Sequence, residues 1–395
     1  MNHPILASLA LGYAPLIDPQ RVVTATRVSV VPLRPDLQPD AGDLLAAITE
    51  VWPAEGSAQL ILSIRHEEQL KGVLAGIAAP RLMVEVPAFM AADPALAETL
   101  QALKKRGQAL LLKGIPSQPL DAATLACFKW AVLEPDEEAR AAALALPRLV
   151  TGVRGAADVD AAFKRGAQGV IGWPVEGSFD APVTDTPGRR NEVQADLQVI
   201  VELMSRVDQG DDVARLEQTL QRDPSLAFKL LRYMNSAAFG LSVEVSSFRH
   251  ALMLLGYSRL KRWLALLLTT ASKDHAMRPV MYGALRRGLL MEELAKGMDD
   301  AEMRDEMFVC GLFSLLDHML KQPFARLLQA IPVPERVRQA LVEETGPYAP
   351  YLGLVRALEA ESVYDYRTAT EQLMLGAQEV NSCLVSALSK ATQLD

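Results

Sequence analysis

The segment DPSLAFKLLRYMNSAAFG, residues 223–240, opens on a helix start signal. Asp223 suits an N-cap, and Pro224 suits the first helical position, where a missing N–H leaves no bond unmade. Leu226, Leu230 and Met234 then fall on one face, with Ala227 and Leu231 beside them. The segment reads as an amphipathic helix with one side to bury. Its surroundings have the same character. In 192–208, Val193, Leu197, Ile200, Met204 and Val207 recur at three- and four-residue spacing. Downstream, Ser247 is placed to cap FRHALMLL (248–255), Gly256 to close it, and Ser258 to open RLKRWLALLLTTA (259–271). Further helices are expected at 279–297, 302–320, 322–330, 334–344, 347–360 and 368–390. No strand is expected after about residue 180, so the C-terminal half reads as all-α.

The N-terminal half alternates instead. Strands are expected in LGYAPLI (11–17), RVVTATRVSVVPL (21–33), AQLILSIR (58–65), RLMVEVP (81–87), QALLLKG (108–114), CFKWAVL (127–133), RLVTGV (148–153) and QGVIGW (168–173). Helices are expected between them at 41–52, 66–78, 92–106, 120–126, 135–145 and 156–165. Asp93-Pro94 starts one of these and Gly107 ends it. The later strands are nearly continuous apolar runs, as in a parallel sheet covered on both faces. Eight such strands close into an irregular TIM-like barrel, with an open doubly wound sheet as the alternative. Only the turn Asp18-Pro19-Gln20 joins the first two strands, so that pair is expected to be antiparallel. The stretch GSFDAPVTDTPGRR, beginning at Gly177, breaks the pattern. The expected organisation is therefore a multidomain chain: an α/β barrel at 1–177, a linker at 178–190 and an all-helical domain with a C-terminal extension at 191–395.

Composition narrows the function. The chain has 395 residues and a formal net charge of -8, which argues against a general nucleic-acid or anionic-membrane binder. No CxxC joins Cys127, Cys310 and Cys383, a pattern suited to a reducing cytoplasm. The first residues lack a basic n-region, and no apolar run approaches the roughly 20 residues a bilayer requires. A cytoplasmic protein is expected. Two basic clusters, Arg259-Lys261-Arg262 and Arg286-Arg287, read as solvated helix faces. The turn in GVRGAADVD (152–160) reads as an ordinary helix entry.

The segments 223–240 and SSFRHALMLLGYSRLKRWLALL (246–267) resemble the HDOD domain of bacterial signalling proteins, with matching Asp-Pro, Leu-Leu, Asn-Ser and Leu-Gly steps. The similarity runs over about 190–360. The resemblance implies an all-helical relative of HD-type metal phosphohydrolases that lacks their metal ligands. The N-terminal half is then similar to a diverged EAL domain, the fold of cyclic-di-GMP phosphodiesterases. An EAL enzyme gathers carboxylates at the C-terminal strand ends to hold divalent metals and activate water. Carried onto this sequence, the signature glutamate falls near Thr24 to Thr26 and the metal-binding asparagine near Ser63. The paired aspartates fall at Lys113 and Gly114, a further aspartate at Ala131, a later glutamate at Arg154, and a glutamine at Ile171. Glu85 and Lys129 remain as a vestigial site.

In the helical half, Asp317 and His318 stand at the HD-type position, but in reversed order. Successive helical side chains point about 100° apart, so reversal swaps their directions. His250 and His275 complete no ligand set with them. The simpler readings are a strand-end carboxylate with a charge partner for Glu85, and the polar edge of a core helix for Asp317-His318. No metal, cofactor or catalytic residue is expected. The expected function is a non-enzymatic signalling scaffold that acts through protein partners or self-association. One alternative is a non-hydrolytic receptor for cyclic-di-GMP or a related nucleotide, in which Lys113, Lys129 and Arg154 would contact phosphates, although cyclic-di-GMP ranks below protein partners. The other is a metal-dependent phosphodiesterase.

Overall fold

The structure, a computed structural model, describes residues 3–34, 40–49, 59–77, 81–138, 140–176, 190–220, 222, 226, 248–270, 274–298 and 300–392. These fall into two compact units. One holds Met1–Gly177 with Gly353–Val385, and the other holds Ser178–Leu352 with Ser386–Asp395. The first therefore takes in a stretch that reads in the sequence as part of the helical extension.

The first unit is built on a closed barrel of eight strands in sequential order, so the open-sheet alternative does not hold. The strands are β1 (Leu9–Ile17), β2 (Val23–Pro32), β3 (Gln59–Ile64), β4 (Leu82–Pro87), β5 (Leu110–Lys113), β6 (Phe128–Leu133), β7 (Arg148–Gly155) and β8 (Gly169–Glu176). As the short turn dictates, β1 runs antiparallel to β2, and also to β8, which closes the ring. The remaining neighbours are parallel. In the turn, the Asp18 carboxylate accepts a hydrogen bond from the Val22 N–H at 2.8 Å.

Helices connect the parallel strands. Asp93 caps Pro94–Lys105 by accepting from the Ala95 N–H at 2.9 Å, and Gly107 follows with φ +77°. The helix expected at 135–145 is reduced to a single 3-10 turn at Arg140–Ala143. Where the outer layer is complete, it packs as the apolar pattern requires. Val159 and Ala162 of the helix Ala156–Lys164 lie against Val150, Val153 and Val170, all of them buried.

In the second unit the helices include Arg190–Asp208, Val213–Leu220, Phe248–Thr270, Arg278–Leu294, Ala301–Phe313, Leu316–Leu320, Phe324–Ala330 and Glu335–Arg338. Ile200, Met204 and Val207 of the expected stripe are buried, whereas the side chains of Val193 and Leu197 lie outside the described residues. Of the segment 223–240, only Leu226 is described, and it is buried. Gly256 interrupts Phe248–Thr270 with φ +67°, at the break expected there. The helix expected at 302–320 is split, because Leu315, with φ -124° and ψ 13°, leaves helical geometry. That expected at 368–390 becomes two, Val363–Leu373 and Ala377–Thr392.

Arg278–Leu294 and Ala301–Phe313 approach almost to backbone contact. A Cβ on Gly311 would lie 2.5 Å from the Arg287 carbonyl oxygen, and one on Gly288 would lie 3.0 Å from that of Phe308. The basic cluster at 286–287 is not a solvated face. Both arginines are buried: the Arg286 guanidinium stacks 3.1 Å from the Tyr282 ring centroid, and Arg287 donates to Ser314 Oγ at 3.0 Å. Arg262 likewise turns inward, in a bidentate pair with Glu292 at 2.7 Å for each bond and 3.8 Å from the Phe308 ring centroid. Guanidinium groups are weakly hydrated and planar, so they enter such interfaces more readily than lysine.

Candidate functional site

In strand β2, residues of one parity share one face, which groups Ala25, Arg27 and Ser29. Register sets Arg27 beside Ile61 and Ser29 beside Ser63 of β3. Arg27 is therefore carried into the interior, where only 6% of it is exposed. Its Nε lies 3.0 Å from Glu85 Oε1 on β4. Its terminal nitrogens donate to Ser63 Oγ at 3.1 Å and to Thr151 Oγ1 of β7 at 3.2 Å. Lys113, at the end of β5, reaches the other side of the same carboxylate, with Nζ 3.3 Å from Glu85 Oε2 and 3.0 Å from Ser63 Oγ. A second carboxylate comes from the far end of the chain: Glu361 Oε1 stands 3.5 Å from Arg27 Nη1.

These groups fix each other's charge. Burial opposes ionisation of Glu85, but Arg27 and Lys113 outweigh it and hold the carboxyl below its usual range. Burial likewise opposes the charge on Arg27, and Glu85, Glu361 and Glu134 overcome it, raising its pKa further. The cluster floors a cavity of about 540 Å³ at the C-terminal ends of the strands, whose lining includes Ser63, Glu85, Phe89, Lys113, Glu134 and Thr151.

A divalent cation at this mouth would require several oxygen ligands around one point. Glu85 is already taken by two cations, and no group of three or more His, Cys, Asp or Glu with metal-holding geometry occurs among the described residues. The residues present do not fit the metals of an EAL enzyme. Lys129 is not brought to Glu85. It sits at the bulged start of β6, exposed, with Nζ 3.9 Å from the Trp130 ring centroid. Arg154 is also off the mouth, with its side chain 72% exposed and paired to Glu176 at 3.4 Å.

In the helical unit, Asp317 and His318 are adjacent and partly buried, with His318 Nε2 3.9 Å from Asp317 Oδ2. The Asp317 carboxylate accepts from the His318 backbone N–H at 2.8 Å. Burial raises the Asp317 pKa and lowers that of His318, so both neutral forms are favoured. His250 lies in the helix Phe248–Thr270 and His275 in a separate 3-10 turn.

Sequence reasoning passed over Arg27 and Glu361. For Arg27 a signal existed: in VTATRVSVV, its parity with Ala25 and Ser29 sets a cation on a strand face lined by small residues. For Glu361 there was none, because 334 residues separate it from its partner.

The chain is similar to two curated proteins. It is 29% identical over 181 residues to the uncharacterized protein YuxH of Bacillus subtilis, covering 45% of this chain and 43% of that protein. It is 26% identical over 200 residues to the cyclic di-GMP phosphodiesterase CdgJ of Vibrio cholerae, covering 50% of this chain and 46% of that protein. The matches thus span under half the length of either relative. Among solved structures, the N-terminal part is similar to the PaMucR phosphodiesterase in its c-di-GMP complex, at 14% identity and a TM-score of 0.30, over 43% of this chain and 91% of that one. It is also similar to the FimX EAL domain of Pseudomonas aeruginosa bound to c-di-GMP, at 13% identity and a TM-score of 0.30, over 43% and 90% respectively. Residues 195–326 match the HDOD domain family, which places an HDOD domain within the helical unit.

Proposed function

We propose that this chain is a non-enzymatic scaffold of cyclic-di-GMP-related signalling, acting through protein partners. The reading rests on one observation: the Arg27 guanidinium lies 3.0 Å from Glu85, inside the barrel. Glu85 is the carboxylate retained among the positions where the EAL resemblance asks for metal ligands. A fixed internal cation neutralises it and repels a divalent ion from the same place. Asp317 and His318 lack further ligands among the described residues, which supports the same conclusion for the helical unit. CdgJ is named as a phosphodiesterase, so hydrolysis is the competing outcome to test. Full-length protein incubated with cyclic-di-GMP and Mg²⁺ or Mn²⁺ is expected to yield no linear product by chromatography. Turnover that disappears in a folded Glu85→Ala variant defeats the reading.

The second reading is a nucleotide receptor. It draws on the cavity, whose lining combines Lys113 and Arg65 with the exposed ring of Phe89. Calorimetry separates the two. The scaffold reading expects no heat from cyclic-di-GMP at high concentration, and the receptor reading expects heat that Lys113→Ala abolishes.

A further inference from the structure

The barrel is fastened to the far end of its own chain. The buried side chain of Asn381 donates to the carbonyl oxygens of Leu6 at 2.8 Å and Leu9 at 2.7 Å, and accepts from the Leu11 N–H at 3.3 Å. Tyr13 Oη donates to Glu359 Oε1 at 3.1 Å, and the Arg367 guanidinium donates to the Leu33 carbonyl. With the Arg27–Glu361 pair, these bonds join residues 334 to 375 positions apart, all inside one compact unit. Gly12 makes the approach feasible, since a Cβ there would lie 2.9 Å from the Leu358 carbonyl oxygen.

Glu361 follows the helix Ala349–Glu359 in the left-handed conformation common just past a helix end, with φ +52°, as Met374 does after the next helix. That turn presents the Glu361 carboxylate to the buried Arg27 guanidinium at 3.5 Å. The attachment is made of directional polar bonds at discrete points, so it is a fastening with identifiable clasps.

We propose that Gly353–Val385 is a strap that positions Arg27 inside the barrel, against the Glu85 that lines the mouth. Seated, it shares Arg27 between Glu85 and Glu361. Lifted, it leaves Arg27 on Glu85, Ser63 and Thr151 and frees one edge of the guanidinium. Chain order gives the strap a purpose. Ser178–Leu352 lies in sequence between the barrel strands and the strap, so a partner that changes the span between the two ends of that unit pulls on Glu361. The inference rests on the scaffold reading, because it supplies the route by which a partner bound to the helical unit is registered at the mouth.

The test uses full-length wild type, Asn381→Ala and Glu361→Gln. Hydrogen exchange followed by mass spectrometry is expected to rise by about tenfold or more in 353–385, β1 and β2 of Asn381→Ala, with β4 to β6 unchanged. Phenylglyoxal, which modifies accessible arginines, is expected to spare Arg27 in the wild type and label it in both variants. Glu361→Gln keeps the side-chain shape, so its labelling reports the lost charge and not a lost fold. Unchanged exchange in 353–385, a rise spread equally over the barrel, or Arg27 equally protected in all three proteins overturns the proposal. Metal-dependent hydrolysis by the wild type would instead defeat the scaffold reading and leave this exchange pattern standing.

Discussion

Arg27 and Glu85 are both buried, so deleting either one strands a charge in the barrel. Loss of one member of such a pair typically costs about 3–5 kcal/mol. Arg27→Met is expected to lower stability by roughly that amount in urea titrations. The double variant Arg27→Met/Glu85→Leu should recover part of the loss, because Glu85 is no longer stranded, although Glu361 loses its cation and Lys113 its carboxylate. The pair also sets an acid limit. The carboxyl of Glu85 is depressed in the folded protein. Its contribution is therefore fully present above the ordinary carboxylate range and is lost as pH falls through the folded value. Stability measured from pH 7 downward should decline more gently in Glu85→Gln than in the wild type, from a lower starting point. That Glu85 has a charge partner is readable from the sequence, since a strand-end carboxylate in an apolar run needs one. Which cation it takes is not: Lys129, matched by the resemblance to the family's lysine, sits exposed at a bulge, while Arg27 is carried in by strand parity.

At the scale of elements, the helical unit depends on close backbone approach between Arg278–Leu294 and Ala301–Phe313. Gly311→Val would force these helices apart. A destabilisation of about 1–3 kcal/mol is expected from overpacking, read as a lower urea midpoint, whereas a substitution at the uncrowded Gly297 should change little. The same closeness explains why Arg286 and Arg287 were misjudged from sequence. Periodicity reports a polar stripe on one helix, but Tyr282 one turn earlier stacks on Arg286, and Ser314 at the end of the neighbouring helix accepts from Arg287, so both arginines are buried. Other boundaries were legible because their causes are local. Asp93 before Pro94, Gly107 after the helix, and Gly256 inside Phe248–Thr270 each act through their own backbone. The split at Ser314–Leu315 carries no such punctuation, whereas the one between Leu373 and Ala377 holds Gly376, a signal that the periodic reading of 368–390 passed over.

Among the described residues no group with metal-holding geometry occurs, and indifference to metals is the expected behaviour of the whole molecule. A ligand that binds only the folded state raises stability by mass action. Thermal unfolding is therefore expected to give the same midpoint in EDTA, Mg²⁺ and Mn²⁺, and a metal-dependent rise would show that a site had been overlooked. Among the described residues, no helix is long and apolar enough to cross a membrane. None of the three cysteines is in a disulfide, and Cys127 and Cys310 are buried.

The sequence by itself determined the kinds of element, the antiparallel opening of an otherwise parallel sheet and the helical character of the second half. Alternation, helical periodicity, caps and turn residues act over a few positions, and each position carries its own evidence. Eight alternating strands also led to the expectation of a barrel, and the structure chose it over the open sheet. Tertiary structure alone decided that Arg27 meets Glu85, and that Asn381 and Glu361 fasten to the first strands. Those outcomes depend on side chains hundreds of residues apart finding complementary charge and space, and no local pattern encodes which of many similar residues will meet.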